Sequence, residues 1–379
     1  MKRIIPYGGQ YIDRKDINAV TNALKQNKIT TGPLVKKFEK AICSYTKSNY
    51  AISCNSGTSA LFLAFKSINL KKDDIVIMPS ITFISSYSIA KIFHAKVYLA
   101  DVDSLTGQMT PKNVIDCCRK FKLKKIKLLV VMYNGGYPIN ADKFVKIKNK
   151  LGCAIIEDSC HAFGGEYNVN KKKYKVGSCK HADISTFSFH PLKSITTCEG
   201  GAITTNNKKI YDKLETLRSI GIKRSNYHWK YDVEDLSLNF RLSDVQCALG
   251  ISQLKKLNKF IKKREKLSKF YDKNFKKINE VNFVKHKKNY KSSYHLYFLK
   301  FTNFNQSKKD QFFKFMKKRK ILLQYHYIPV FKFNIFNDKY IGKNSIDFYN
   351  NTISLPIYFS LTKKNQHYII NSIKNFFNS

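Results

Sequence analysis

Residues 187–201 read FSFHPLKSITTCEGG, and the apolar run Ala202–Thr205 follows at once. Lys193 stands in this bend among Phe187, Phe189 and Pro191 with almost no other charge nearby. In a chain with 61 lysines, one more is surface filler by default, and it is this context that sets Lys193 apart. An amine held among apolar groups is harder to protonate, and the free amine can condense with a carbonyl. The bend joins two short apolar runs, Ile184–Ser188 and Ala202–Thr205, which read as buried strands. A reactive lysine placed at a strand end is the arrangement of an α/β sheet that binds ligands along one rim.

Working outward, Tyr50–Cys54, Ile75–Met78, Lys96–Ala100, Lys127–Tyr133 and Ala154–Glu157 read as further buried strands. Segments of helical periodicity lie between the strands, among them Ala60–Ser67, Ala141–Lys150 and Lys208–Ser219. The alternation predicts an α/β domain with a mostly parallel sheet. Beyond residue 245 a long amphipathic segment leads into strand-like pieces at His295–Lys300 and Leu322–Tyr327, then a helix-like stretch from Lys363 to Phe377. This texture predicts a large domain over residues 1–245 and a smaller α+β domain over residues 246–379.

Two other predicted strand ends carry unusual residues. CNSGTS at 54–59 closes one strand and opens a helix, so its backbone N–H groups and hydroxyls suit an anion, although Ser and Thr are also ordinary helix caps. IIEDSCH at 155–161 puts an acidic pair at the end of a buried strand, where Asp158 needs a cation or donors unless it simply caps a helix. No Walker A spacing and no GxGxxG is present, which disfavours ATP and dinucleotides. An anion cradle, a strand-end Asp and an apolar-flanked Lys together match what pyridoxal phosphate requires: a phosphate site, a partner for the pyridinium nitrogen and a Schiff-base amine.

With CNSGTSAL, EDSCHAFG, FSFHPLKSITTCEGGA and NFRLSDVQCALG on the page, the chain resembles the DegT/DnrJ/EryC1/StrS family of sugar aminotransferases from Tyr7 to the Ser354-Leu355-Pro356 region. The resemblance implies the aspartate-aminotransferase fold (fold type I) and pyridoxal 5'-phosphate as cofactor. It implies that Lys193 is the Schiff-base lysine and proton shuttle, that Asp158 pairs with the pyridine nitrogen, and that Phe83, in PSITFI at 79–84, stacks on the ring with His161 on the other side. Gly57, Thr58 and Ser188 would hold the phosphate, joined by Asn239 from a second subunit of a homodimer. Tyr7, Lys28, Ile29, Thr30, Gln324, Tyr325, His326 and Tyr327 fall where the family contacts the nucleotide sugar. An aromatic after a strand is more often core, and a buried His can be purely structural, so Phe83 and His161 each carry a plainer reading.

The family's sugar dehydratases carry His where this chain has Lys193, which favours transamination. Within the family, the wording of 190–201, 241–257 and 324–329 points to the branch that aminates a UDP-linked 4-keto-6-deoxy-N-acetylhexosamine at C4, with L-glutamate as donor, on the way to pseudaminic acid. Related 4-aminotransferases of the bacillosamine, legionaminic acid or perosamine type are the alternative. Two stretches follow no wording tied to one sugar: 223–235, with Tyr227, His228 and Trp229, and YNGGYP at 133–138.

The 379 residues, 43% apolar, suffice for a core without staples. Nine cysteines form an odd set without a CxxC pair, which fits reduced thiols and argues against a disulfide framework or a structural zinc. No signal-peptide h-region and no membrane-length apolar stretch is present, so a cytoplasmic protein is expected. The net charge of +43 suggests a polyanion partner, yet only eight of the 69 basic residues are Arg, the residue on which phosphate and base readers lean. Lys, Asn, Ile, Tyr and Phe share A/T-rich codons, so the surplus reads as codon bias, and a non-catalytic polyanion-binding protein is a remote alternative.

Overall fold

The computed structural model describes residues 4–225, 227, 229–302, 304–336 and 340–378; His228 lies outside them. The central sheet contains β1 (Tyr50–Cys54), β2 (Ile75–Pro79), β3 (Lys96–Ala100), β4 (Ile126–Met132) and β5 (Ala154–Asp158). A hairpin of β6 (Glu166–Val169) and β7 (Lys172–Lys175) projects before β8 (Ile184–Ser188) and β9 (Gly201–Thr205) complete the sheet. The order is β1-β9-β8-β5-β4-β2-β3, and only β9 runs against the others. All seven strand segments read from the sequence are therefore strands of one sheet. Both faces are apolar because helices cover both, which is why these strands read as continuous apolar runs and not as alternations.

Helices α1 (Arg14–Leu24) and α2 (Pro33–Thr46) precede the sheet, and α3 (Gly57–Ser67), α4 (Ile84–Ile92), α5 (Pro111–Lys120) and α6 (Phe144–Leu151) are crossovers within it. After α7 (Lys208–Arg218) comes a surface hairpin of β10 (Ile222–Arg224) and β11 (Tyr231–Val233), and then the long amphipathic segment. That segment is two helices, α8 (Asp244–Leu254) and α9 (Leu257–Phe275). Helix α8 packs on α1 and α2: buried Asp244 accepts the N–H groups of Gly32 (2.7 Å) and Leu34 (2.8 Å) at the uncapped start of α2, and Gln253 donates to Asp16 (2.8 Å).

The remaining chain builds a second antiparallel sheet in the order β12 (Val281–Phe283), β14 (Tyr297–Phe301), β15 (Thr352–Leu355). The two-residue β13 (Tyr290–Lys291) instead pairs with β6. Helices α10 (Gln306–Lys318), α11 (Lys343–Asn351) and α12 (Lys363–Phe377) complete this part. The segment expected as a strand at Leu322–Tyr327 is irregular, with Gln324 forming one isolated bridge to Ser354. Its backbone is held instead by loop contacts: Asn134 Nδ2 donates to the His326 carbonyl (2.9 Å).

Candidate active site

A cavity of about 530 Å³ opens at the carboxyl ends of β1, β2, β4, β5 and β8, and the C-terminal part closes it with Arg264, His295 and Gln324–Tyr327. This is where an open α/β sheet collects ligands. Gly57 and Thr58 reach it as the first residues of α3, whose leading N–H groups have no intrahelical acceptor. The Ser56 side chain caps the helix by accepting the Ser59 N–H (3.0 Å), and Thr58 Oγ1 lies 2.9 Å from Ser85 Oγ. A Cβ at Gly57 would stand 2.7 Å from Ser188 Cβ, so only glycine lets helix and strand approach this closely. The result is a cradle of free N–H groups and hydroxyls open to an anion. Gly57→Ala is expected to weaken binding of a phosphate-bearing cofactor by about tenfold or more and to cost about 1–3 kcal/mol of stability, measured by absorbance titration and thermal unfolding.

Lys193 also lines the cavity. Burial lowers its pKa, opposed by Cys160 and Asp158. Burial also pushes the Cys160 thiol well up, so that thiol stays protonated. Asp158 ends β5 at 2% exposure and accepts the Cys160 N–H at 3.2 Å. Among the described residues it has no ion pair. A carboxylate desolvated to this degree lacks a cation, and a protonated ring nitrogen would supply one.

The backbone N–H of Gly135 donates to His161 Nδ1 (3.3 Å), so the ring proton sits on Nε2, which donates to Tyr327 Oη (2.8 Å). The Gly135–Gly136 bend makes this possible: Gly136 has φ +90° and a Cβ there would meet the His161 carbonyl at 2.5 Å. The YNGGYP stretch thus orients His161. Burial, followed by Lys193, His295 and His326, holds the His161 pKa well below its ordinary value, and the ring stays neutral. Phe83 lines the cavity 48% exposed, its ring 5.7 Å from that of Tyr327, so it is no core residue but a flat apolar face left open. Phosphate cradle, carboxylate, lysine and open aromatic face together fit pyridoxal phosphate.

Tyr7, Gln324, Tyr325, His326 and Tyr327 all line the same cavity. His326 Nδ1 lies 2.8 Å from Ser354 Oγ, and burial, then Lys193, holds its pKa down to about 3. Lys28, Ile29 and Thr30 do not line the cavity: they are exposed, with the Ile29 carbonyl accepting the Asp244 N–H (2.9 Å) at the start of α8. Asn239 is likewise exposed and outside it, its Oδ1 accepting the Arg241 N–H (3.3 Å). Sequence reasoning missed Arg264 and His295, which line the cavity. Arg264 lies within the Lys-rich run 262–269, and His295 was read only as the start of a strand, so neither carried a local signal.

No metal-binding cluster of His, Cys, Asp and Glu occurs among the described residues, and no helix there is long and apolar enough to cross a membrane. The model of the DegT/DnrJ/EryC1/StrS aminotransferase family matches residues 10–374. The chain is 38% identical to the UDP-4-amino-4,6-dideoxy-N-acetyl-beta-L-altrosamine transaminase of Campylobacter jejuni subsp. jejuni serotype O:23/36, over 97% of this chain and 96% of that protein. Among solved structures it is similar to Helicobacter pylori PseC, an aminotransferase of pseudoaminic acid biosynthesis (29% identity, TM-score 0.90, 99% of this chain and 100% of that one). It is also similar to the PLP-form of the putative sugar aminotransferase Spr1654 from Streptococcus pneumoniae (25% identity, TM-score 0.89, 99% and 98%). The cofactor is accordingly pyridoxal phosphate. The agreement runs the length of the chain and not only through the residues around Lys193, and the chain therefore belongs to the DegT/DnrJ/EryC1/StrS aminotransferase family.

Proposed function

We propose that this enzyme transaminates a UDP-linked 4-keto-6-deoxy-N-acetylhexosamine at C4, with L-glutamate as amino donor, giving UDP-4-amino-4,6-dideoxy-N-acetyl-β-L-altrosamine for pseudaminic acid. The observation that carries this reading is the 38% identity, over 97% of the chain, to the Campylobacter transaminase of that product. Pyridoxal phosphate, when bound, supplies the electron sink that makes the C–H bond beside the transferred nitrogen acidic. Lys193 Nζ, held uncharged more readily by burial, takes that proton and later returns one to the sugar C4. Asp158 would hold the ring nitrogen protonated, Gly57, Thr58 and Ser188 would hold the phosphate, and Phe83 and His161 would flank the ring. Tyr7 and Gln324–Tyr327 then face the sugar nucleotide. Donor and acceptor use the same lysine in turn, so the kinetics are ping-pong.

The enzyme on this reading is a cytoplasmic homodimer. The homodimer has its support in the large apolar side chains Trp229, Leu236 and Leu238, which are 63%, 84% and 61% exposed in the single chain. On this reading Asn239 and Lys28–Thr30, which do not line their own cavity, serve the neighbour's. The reading also takes residues 1–245 as the unit that holds the cofactor and 246–379 as its cover.

With glutamate and a panel of 4-keto-6-deoxy sugar nucleotides, 2-oxoglutarate formation should be fastest with the UDP-N-acetylhexosamine substrate, by about tenfold in kcat/KM or more. A preference for a GDP- or dTDP-linked sugar overturns the substrate assignment and leaves the family untouched.

A further inference from the structure

Arg264 and His295 are side by side in the cavity wall, and neither takes part in the chemistry described above. Arg264 is 3% exposed and has no ion pair among the described residues. Its Nη1 donates to the carbonyls of His295 (3.1 Å) and Ile357 (2.7 Å), while its Nε is buried without an acceptor. Burial lowers its pKa only to about 10, so the guanidinium keeps its charge. His295 is 6% exposed, its Nδ1 is also buried without a partner, and its ring lies 4.3 Å from that of His161. A desolvated cation lacking an acid, beside a second unsatisfied ring nitrogen in the same cavity, is costly in the free protein.

We propose that Arg264 and His295 form the subsite for a carboxylate of the amino donor, an inference that rests on the transaminase reading above. A carboxylate seated at this wall would pair the Arg264 charge and offer acceptors to Arg264 Nε and, in the tautomer that protonates it, to His295 Nδ1. With the cofactor phosphate assigned to the Gly57 cradle, the nucleotide's diphosphate is the remaining anion this enzyme meets. It is linked on both sides to bulky groups, whereas a carboxylate is a terminal group able to end in a buried wall.

The two half-reactions separate this role from a structural one. Stopped-flow absorbance of the bound cofactor is followed with glutamate alone, and separately with the amino-sugar nucleotide alone running the sugar half backwards. Arg264→Lys and His295→Gln should raise the glutamate concentration for half-maximal rate by about 30-fold or more while changing the sugar half-reaction less than threefold. The wild-type preference for glutamate over 4-aminobutanoate, which lacks the α-carboxylate, or over 2-aminobutanoate, which lacks the γ-carboxylate, should collapse in the same variants. Glutarate should compete with glutamate on the wild-type enzyme and much less on the variants. Equal losses in both half-reactions, or no loss in either, overturn the proposal. If glutarate fails to compete on the wild-type enzyme, the proposal also falls, even where a variant does not fold. A wild-type enzyme that accepts glutamate but not the UDP-sugar sinks the substrate reading instead and leaves the carboxylate subsite standing.

Discussion

Lys193→Ala is expected to lower turnover by at least about 10³-fold, because one atom both anchors the cofactor and moves the proton. Borohydride reduction followed by peptide mass spectrometry should fix the cofactor to Lys193 in the wild type and to nothing in the variant. Lys193→Arg should be as inactive, since a guanidinium stays protonated at any working pH. The pH dependence has a definite sign. Burial lowers the Lys193 pKa, and the amine must be free to accept a proton. The glutamate half-reaction should therefore slow as pH falls through that lowered pKa and level off above it. An active Lys193→Ala enzyme would remove the basis of the assignment.

Asp158→Asn should lower kcat by about 10²–10³-fold, a loss typical of removing one preorganised electrostatic partner from a dry site. Asn preserves the volume and can still accept the Cys160 N–H, so packing is retained, but it carries no charge to keep a ring nitrogen protonated. Stability measurements separate this from misfolding. Asp158 is buried without an ion pair among the described residues, so in the free protein the neutral variant should unfold no lower than the wild type. With pyridoxal phosphate added, the wild type should gain more in unfolding temperature than the variant, because the cofactor stabilises in proportion to its affinity. A variant destabilised equally with and without cofactor would make Asp158 a structural residue.

Much of the large sheet was legible in the residues. Seven buried strands appeared as short apolar runs, and β1, β3 and β8 match their predicted ends residue for residue. Parallel strands covered on both faces advertise themselves this way, since every side chain faces a helix. Short polar-rich pieces were not legible: β7 and β10 carry lysines, β6 and β11 each carry an acidic residue, none shows much apolar pattern, and their pairing is decided by turns and neighbours. The strand expected at Leu322–Tyr327 failed for a related reason. Its apolar and aromatic residues line a cavity and contact loops, which gives them a strand's composition without a strand's ladder.

The site divides along the same line. Lys193, Asp158 and the Gly57 cradle could be named from the chain alone, because each lies in a short motif whose local structure sets its direction: a strand end or the first turn of a helix. Tertiary contact decided the rest. His161 acquires its tautomer from the backbone of Gly135, 26 positions away, and the bond from Nε2 reaches Tyr327 across the two parts of the chain. Phe83 could be core or open face until its exposure was known. Arg264, one basic residue among 69, differs from the others only in being buried against two distant carbonyls. Local patterns record what neighbours in sequence must do together, while desolvation and the choice of a hydrogen-bond partner depend on what the fold brings alongside.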